Sequence, residues 1–289
     1  MKMQAMRMSA SLSGESAMDI ERLKQHVFVC CPFDLLLNKY LPSLLEEHIN
    51  PEIGLNGEIL GRFRWSGFKK IAGILKKEGI SCTIHAPYTD LSLGAIDRKV
   101  RRISIERIKK AFDLASLFEA RSVICHTGFD HRHYVNFKDR WMENAIESVA
   151  DLVEYASPLN ISIMLENVYE SDTRIHREIF RTIKSPLLGF CLDFGHQNVF
   201  SETGLDSWLK DLGDRLGQLH LHDNMGMHDD HLAIGEGILD FDSLFSWLYA
   251  QKKTPILTLE PHEEKAVIPA LEGLAGLLST YPIIPDFSC

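Results

Sequence analysis

The chain has 289 residues, 45% hydrophobic and 25% charged, with a net charge of −9. That is enough chain for a sizeable core, and the acid excess argues against non-specific adhesion to nucleic acid or to an anionic membrane surface. No apolar run approaches the ~20 residues needed to span a bilayer.

Residues 1–18 carry five of the nine methionines, with Ser and Gly, and lack the apolar core of a secretory signal, so they read as a frayed, disordered tail ahead of one folded unit over 19–289. Within that unit eight short apolar runs recur, most of them followed by a helical pattern. His26–Cys31 reads as the first strand, stopped by Pro32, and Phe33–His48 as a helix. Pro51–Leu55 is a short second strand, and Trp65–Glu78 an amphipathic helix. Ser81–His85 is the third strand, ended by Ala86 and Pro87. Asp97–Ala120 is a long helix whose apolar stripe takes in Ile103, Ile108, Ala111, Phe112, Ala115 and Phe118.

Strand and helix then alternate to the end. Ser122–His126 precedes the helix Asn136–Tyr155, and Ile161–Glu166 precedes Thr173–Lys184. Leu187–Asp193 precedes Leu205–Leu212, Gly217–His222 precedes Asp240–Tyr249, and Pro255–Glu260 precedes Val267–Leu278. This alternation implies a parallel sheet covered by helices, and the number eight implies a single closed (β/α)8 TIM barrel, a fold that runs to ~250 residues as one domain. A doubly wound open sheet is the alternative, weakened because no Gly-rich phosphate loop follows the first strand. Of the six cysteines none forms a CxxC pair. Cys30, Cys82, Cys125 and Cys191 fall in apolar strand-like runs, which predicts buried reduced thiols and a cytoplasmic location.

The densest chemistry lies between Gln218 and Glu236, where His220, His222, His228 and His231 are interleaved with Asp223, Asp229 and Asp230. Imidazole nitrogen and carboxylate oxygen are the ligands of zinc, manganese and iron. Other strand ends carry the same residue types: His85, His126, Glu166, Asp193 with His196 three residues on, and Glu260. In a barrel the C-terminal ends of the strands ring one face, so residues scattered in sequence converge there. His85, His126, Glu166, Asp193, His196, His220, Asp229, His231 and Glu260 are therefore the expected metal ligands. They would hold two or three divalent ions with bridging carboxylates, or one ion with spare histidines facing substrate. Glu166, Asp193, His220 and Glu260 are the first choice for a shared inner site. His222 shares the face of His220 and is expected beside the ligands. His228, His131 and His133 read as solvated loop residues, and His26, His48, His176 and His262 carry no ligand argument.

The segments His85-Ala86-Pro87-Tyr88, Cys125-His126-Thr127-Gly128, Leu165-Glu166-Asn167, Leu192-Asp193-Phe194-Gly195-His196, His220-Leu221-His222-Asp223-Asn224, Asp229-Asp230-His231 with Gly235-Glu236-Gly237, and Leu259-Glu260 are shared with a known family. On these pieces the chain resembles the xylose isomerase-like TIM barrel superfamily, which includes sugar phosphate isomerases and epimerases and the endonuclease IV enzymes. Resemblance to endonuclease IV implies three zinc ions: one on His85, His126 and Glu166, a second on Glu166, Asp193, His220 and Glu260, and a third on His196, Asp229 and His231. Resemblance to the epimerase branch implies one manganese-like ion on the middle group, with Glu166 and Glu260 as the catalytic pair. The first strand departs from endonuclease IV, with no Gly-rich motif and no basic DNA-entering loop after it. Tyr88 stands where that family has a DNA-stacking tyrosine and where isomerase-like members have an aromatic, so it is a candidate substrate contact. Arg132, His133 and Arg174 are candidates for a substrate phosphate, and His222 for substrate binding.

The expected activity is a zinc- or manganese-dependent isomerase or epimerase of a small sugar or sugar phosphate, with one to three ions per chain. A proton would move through a metal-stabilised enediolate between Glu166 and Glu260. The alternatives are an endonuclease IV-like phosphodiesterase acting at abasic sites, and a barrel that binds metal or sugar without catalysis. The partner is a small molecule rather than nucleic acid or membrane, and a homo-oligomer is open.

Overall fold

Strand residues alternate between two environments, and that alternation builds the molecule. Eight parallel strands close into a barrel in chain order: β1 (Phe28–Pro32), β2 (Asn50–Gly54), β3 (Thr83–His85), β4 (Val123–His126), β5 (Ile163–Glu166), β6 (Leu188–Asp193), β7 (Leu216–Leu221) and β8 (Ile256–Leu259), with β1 paired to both β2 and β8. The expected single (β/α)8 barrel is the observed fold. Ile53, Ile84, Val123, Cys125, Leu165, Phe190, Leu192, Leu219, Leu221 and Leu259 join the apolar layer shared with the helices. The intervening residues face the lumen and are largely polar. At its floor, one oxygen of the buried Glu52 accepts hydrogen bonds from Thr83, Gln218 and Thr258, and Gln218 in turn accepts from Ser122. A polar plug of this kind is tolerable only because each member has a partner. Met164 fills the space beside it where Gly189 and Gly217 lack side chains.

This computed structural model describes residues 20–284, so the tail expected over 1–18 and Cys289 lie outside it. Among the described residues no helix is long and apolar enough to cross a membrane. Several helix starts are fixed by side-chain caps: Asn56 to Ile59 N, Asp97 to Lys99 N, Asp193 to His196 N and Asp240 to Ser243 N. The caps explain two short helices absent from the periodicity reading, Gly57–Arg62 and Phe194–Phe200.

Three expectations are corrected. The helix expected over Phe33–His48 is interrupted by a π-helical stretch, Leu36–Tyr40, with Leu41 N bonded to Leu36 O. Pro42 has no N–H to give the carbonyl four residues back, which loosens the α-helical register before it. Ile103 is 46% exposed, whereas Ser104 occupies the inner position, because its hydroxyl accepts from Ser92 N and donates to Val100 O. Cys30 is only partly buried: it faces the lumen rather than the helix layer, in register with Glu52. Cys82, Cys125 and Cys191 are buried and free.

The loop that carries Tyr88 out of β3 is pinned to the helix Lys138–Ala156. Trp141 Nε1 donates to Ser92 Oγ at 2.9 Å, Ser148 Oγ donates to Leu93 O at 2.7 Å, and Asn144 donates to Ala95 O at 3.2 Å. Gly94 lies flat against Trp141: a Cβ there would stand 2.3 Å from the indole and 2.4 Å from the Trp141 carbonyl. Neither can give way, since the indole is fully buried. Gly94→Ala is therefore expected to destabilise the fold by about 2 kcal/mol or more. Thermal unfolding should show a Tm drop of roughly 5 °C, and an unchanged Tm would mean that this loop is not held as described.

Candidate metal centre

Each strand end delivers its side chain by the same means. The last residues of β3, β4, β5 and β6 are His85, His126, Glu166 and Asp193. His220 is the last lumen-facing residue of β7, and Glu260 follows β8 directly. In-register parallel pairing sets His126 beside Glu166 and Asp193 beside His220. The result is a ring of donors at the C-terminal mouth, where barrel strands project their side chains together.

Glu166 is at its centre. Its Oε2 lies 3.2 Å from His85 Nε2 and 3.1 Å from His126 Nε2, while its Oε1 lies 3.3 Å from His196 Nδ1 and 3.5 Å from His220 Nδ1. His220 Nδ1 is also 3.1 Å from Glu260 Oε1 and 3.8 Å from Asp193 Oδ2. Beyond Asp193 a further group assembles: Asp229 Oδ2 is 3.2 Å from His196 Nε2 and 3.1 Å from His231 Nε2. All nine residues expected as ligands meet here. The ligand atoms of His85, His126 and Glu166, of Glu166, Asp193 and His220, and of His196, His222, Asp229 and His231 each fall within 4.8 Å of one another. His222 thus stands inside a donor group, 3.1 Å from Asp193 Oδ1, rather than beside it.

Several imidazoles are held so that one nitrogen points at the cluster. His85 Nδ1 lies 3.0 Å from Ala86 O, and His231 Nδ1 2.7 Å from Glu260 O. A ring N–H spent on a carbonyl leaves the opposite nitrogen free for a ligand role. Gly195 clears room for His222, whose ring a Cβ would meet at 1.9 Å. His231 adopts φ of 50°, a left-handed conformation uncommon outside glycine, and its ring stacks on His222 at 3.9 Å.

The electrostatics are those of a site short of positive charge. Burial opposes ionisation of Glu166, but the charges of His126 and His220 outweigh it and hold the carboxyl well below the usual range. Burial also opposes protonation of His220 and His196. The surrounding carboxylates, Glu260 and Glu52 at His220, Asp193 and Asp229 at His196, nevertheless raise both well above an ordinary imidazole. Among the described residues, His220 Nδ1, His222 Nδ1 and Asp229 Oδ1 are buried without a hydrogen-bond partner. Orphaned atoms of this kind, on donors of this chemistry, fit a divalent cation.

The remaining sequence candidates sit differently. Tyr88, 50% exposed, stacks its ring on His126 at 4.3 Å and overhangs the cluster. Arg132 and Arg174 are both exposed, and each is engaged by an aspartate two residues earlier, Asp130 and Asp172. Three residues were missed. Glu52 lies 3.1 Å from His220 Nε2; an acid in an apolar strand run was the available signal. His262 stacks on His231 at 3.6 Å, and His176 places Nε2 3.2 Å from Glu166 O. Neither shows a sequence signal beyond its residue type.

A profile described as xylose isomerase-like TIM barrel matches residues 52–277, a span that takes in the whole cluster. The chain belongs to this family. It is 30% identical over 169 residues, 56% of its length, to an uncharacterised protein of Methanocaldococcus jannaschii, and 27% identical over 182 residues, 59% of its length, to fructoselysine 3-epimerase of Escherichia coli O157:H7. The matches span 58% and 64% of those relatives' own lengths, less than two thirds of each. Among solved structures, a D-tagatose 3-epimerase-like protein superposes with a TM-score of 0.75 at 22% identity, covering 88% of this chain and 98% of that one. A protein of Thermus thermophilus soaked with zinc chloride superposes with a TM-score of 0.70 at 26% identity, covering 87% and 98%.

In the loop that supplies Asp229 and His231, one side chain gathers four backbone amides. Asp223 accepts from Asn224 N at 2.9 Å, Gly235 N at 3.0 Å, Gly237 N at 2.9 Å and Leu239 N at 3.1 Å. A Cβ on Gly237 would stand 2.3 Å from Asp223 Oδ1, so glycine is required there. Asp223→Ala is expected to lower stability by about 3 kcal/mol and to open residues 224–239 to limited proteolysis. Wild-type resistance to cleavage would show that the loop has another anchor.

Proposed function

We propose that this barrel is a divalent-metal-dependent isomerase or epimerase of a small sugar or sugar phosphate, moving a proton at a carbon next to a carbonyl. The observation that carries the reading is the meeting of Glu166, Asp193, His220 and Glu260: the two glutamates bring oxygens within 3.5 and 3.1 Å of the same atom, His220 Nδ1. The similarity to fructoselysine 3-epimerase supports the reaction class. These four residues would hold a zinc or manganese ion, and the zinc-soaked relative supports zinc.

A cation bound there would polarise the substrate carbonyl and offset charge developing on its oxygen. The rest falls to the chain itself. Glu166, kept ionised by its imidazole neighbours, takes the proton from the carbon, and the electron pair of the broken C–H bond moves towards the carbonyl oxygen. Glu260, protonated for this step, gives its proton to the opposite face of that carbon in epimerisation. In isomerisation it gives it to the neighbouring carbon, while the hydroxyl proton passes to the former carbonyl oxygen. Once product leaves, Glu166 gives up its proton and Glu260 regains one through solvent. Burial of Glu166 and Asp193 keeps bulk water from competing. Tyr88 overhangs the approach to the cluster, and His222 stands within its donors.

Glu166→Gln and Glu260→Gln should each lower turnover by about 10²–10⁴-fold, with folding retained. Deuterium wash-in from D2O into a ketose, followed by NMR, checks this at the carbon itself. Near wild-type exchange in both variants would remove the assignment.

A second reading, an endonuclease IV-like phosphodiesterase, is favoured by one observation: donor groups stand on both sides of the central four. It predicts cleavage of an abasic oligonucleotide by zinc-loaded protein, and intact oligonucleotide under those conditions would exclude it.

A further inference from the structure

We propose that Glu52 is a positioning residue that fixes the His220 imidazole with Nε2–H towards the barrel floor and Nδ1 towards the cluster. This rests on the reading of the cluster as a metal site. Glu52 Oε1 lies 3.1 Å from His220 Nε2, at ion-pair rather than aligned hydrogen-bond geometry; both residues are fully buried, and among the described residues neither atom has a hydrogen-bond partner. The other ring nitrogen, Nδ1, faces Glu260, Glu166 and Asp193. An imidazole nitrogen can ligate only when it carries no proton, so the proton of neutral His220 must sit on Nε2.

Glu52 is built to require this. Its second oxygen, Oε2, accepts from Gln218 Nε2 at 2.7 Å, Thr83 Oγ1 at 2.8 Å and Thr258 Oγ1 at 3.1 Å. Gln218 is itself oriented, because its Oε1 accepts from Ser122 Oγ at 2.7 Å. Three donors on one oxygen anchor the carboxylate and aim the other oxygen at the ring. An amide cannot replace it: a glutamine would set its NH2 either against the floor donors or against His220 Nε2. The second arrangement drives the ring proton to Nδ1, the atom the cluster needs bare.

The test uses the full chain as wild type, Glu52→Gln, His220→Ala and the double variant. Zinc affinity is read by chelator competition, and the His220 Nε2–H resonance by NMR on metal-free and zinc-loaded protein. Glu52→Gln should weaken zinc binding by about 10–100-fold and shift or abolish the Nε2–H resonance, yet add no further loss in the His220→Ala background. Additive loss there would make Glu52 a ligand in its own right and overturn the positioning role. An unmoved resonance with wild-type zinc affinity would overturn it as well. Should Glu52→Gln fail to fold, Thr258→Val loosens the same anchor without touching Oε1, and the same two readouts apply. Wild-type protein that takes up no zinc would instead sink the metal reading, and the resonance in metal-free protein would still judge the Glu52–His220 contact.

Discussion

The constraint on which the site depends is charge. Glu52, Glu166, Asp193, Asp229 and Glu260 crowd into one end of the barrel with His85, His126, His196, His220, His222 and His231. Among the described residues, the ion pairs these acids make are with imidazoles rather than with lysine or arginine. Buried carboxylates this close repel one another and forfeit hydration, and only positive charge among them makes the arrangement tolerable. The same carboxylates favour positive charge on their imidazole neighbours and raise His196 and His220 well above their ordinary range against the opposing effect of burial. A divalent cation supplies that charge better and competes with protons for the same nitrogens, so its uptake should strengthen as pH rises, and to values above the ordinary imidazole range.

The fold holds this charge in place at two levels. Below the cluster, the network of Glu52, Thr83, Gln218, Thr258 and Ser122 fills the lumen with satisfied polar groups and gives His220 a rigid base. Above it, loops are tied by a few side chains: Asp223 gathers the β7 loop, and Trp141, Asn144 and Ser148 hold the β3 loop. The outward-facing residues of every strand meanwhile bury against the helices. Packing stabilises the outer layer, and hydrogen bonds specify the inner one.

The legible part of the sequence was what repeats. Eight apolar runs gave the barrel, and because barrel strands end on one face, six metal-capable residues at strand ends, with His196, Asp229 and His231 from the segments after β6 and β7, gave the nine donors without any distance. What was illegible depends on depth and on neighbours. Glu52 lies low in the lumen, and alternation says inward or outward but not how far from the mouth. Ile103 and Ser104 trade places because a serine hydroxyl has a backbone partner in a distant loop. Arg132 and Arg174 suggested a phosphate contact by residue type, yet an aspartate two residues before each one occupies it. The stacking of His262 on His231 joins residues from different loops and leaves no mark in either.

The central claim is that this cluster holds a divalent cation, and metal content per chain tests it most directly. Protein purified without added metal or chelator should carry zinc or manganese by elemental analysis, or take it up stoichiometrically on titration with release of protons. Close to one ion would match the four-residue inner site and its proton-transfer chemistry, and close to three would match the full donor set. Protein that arrives empty and binds neither metal would contradict the account at its root.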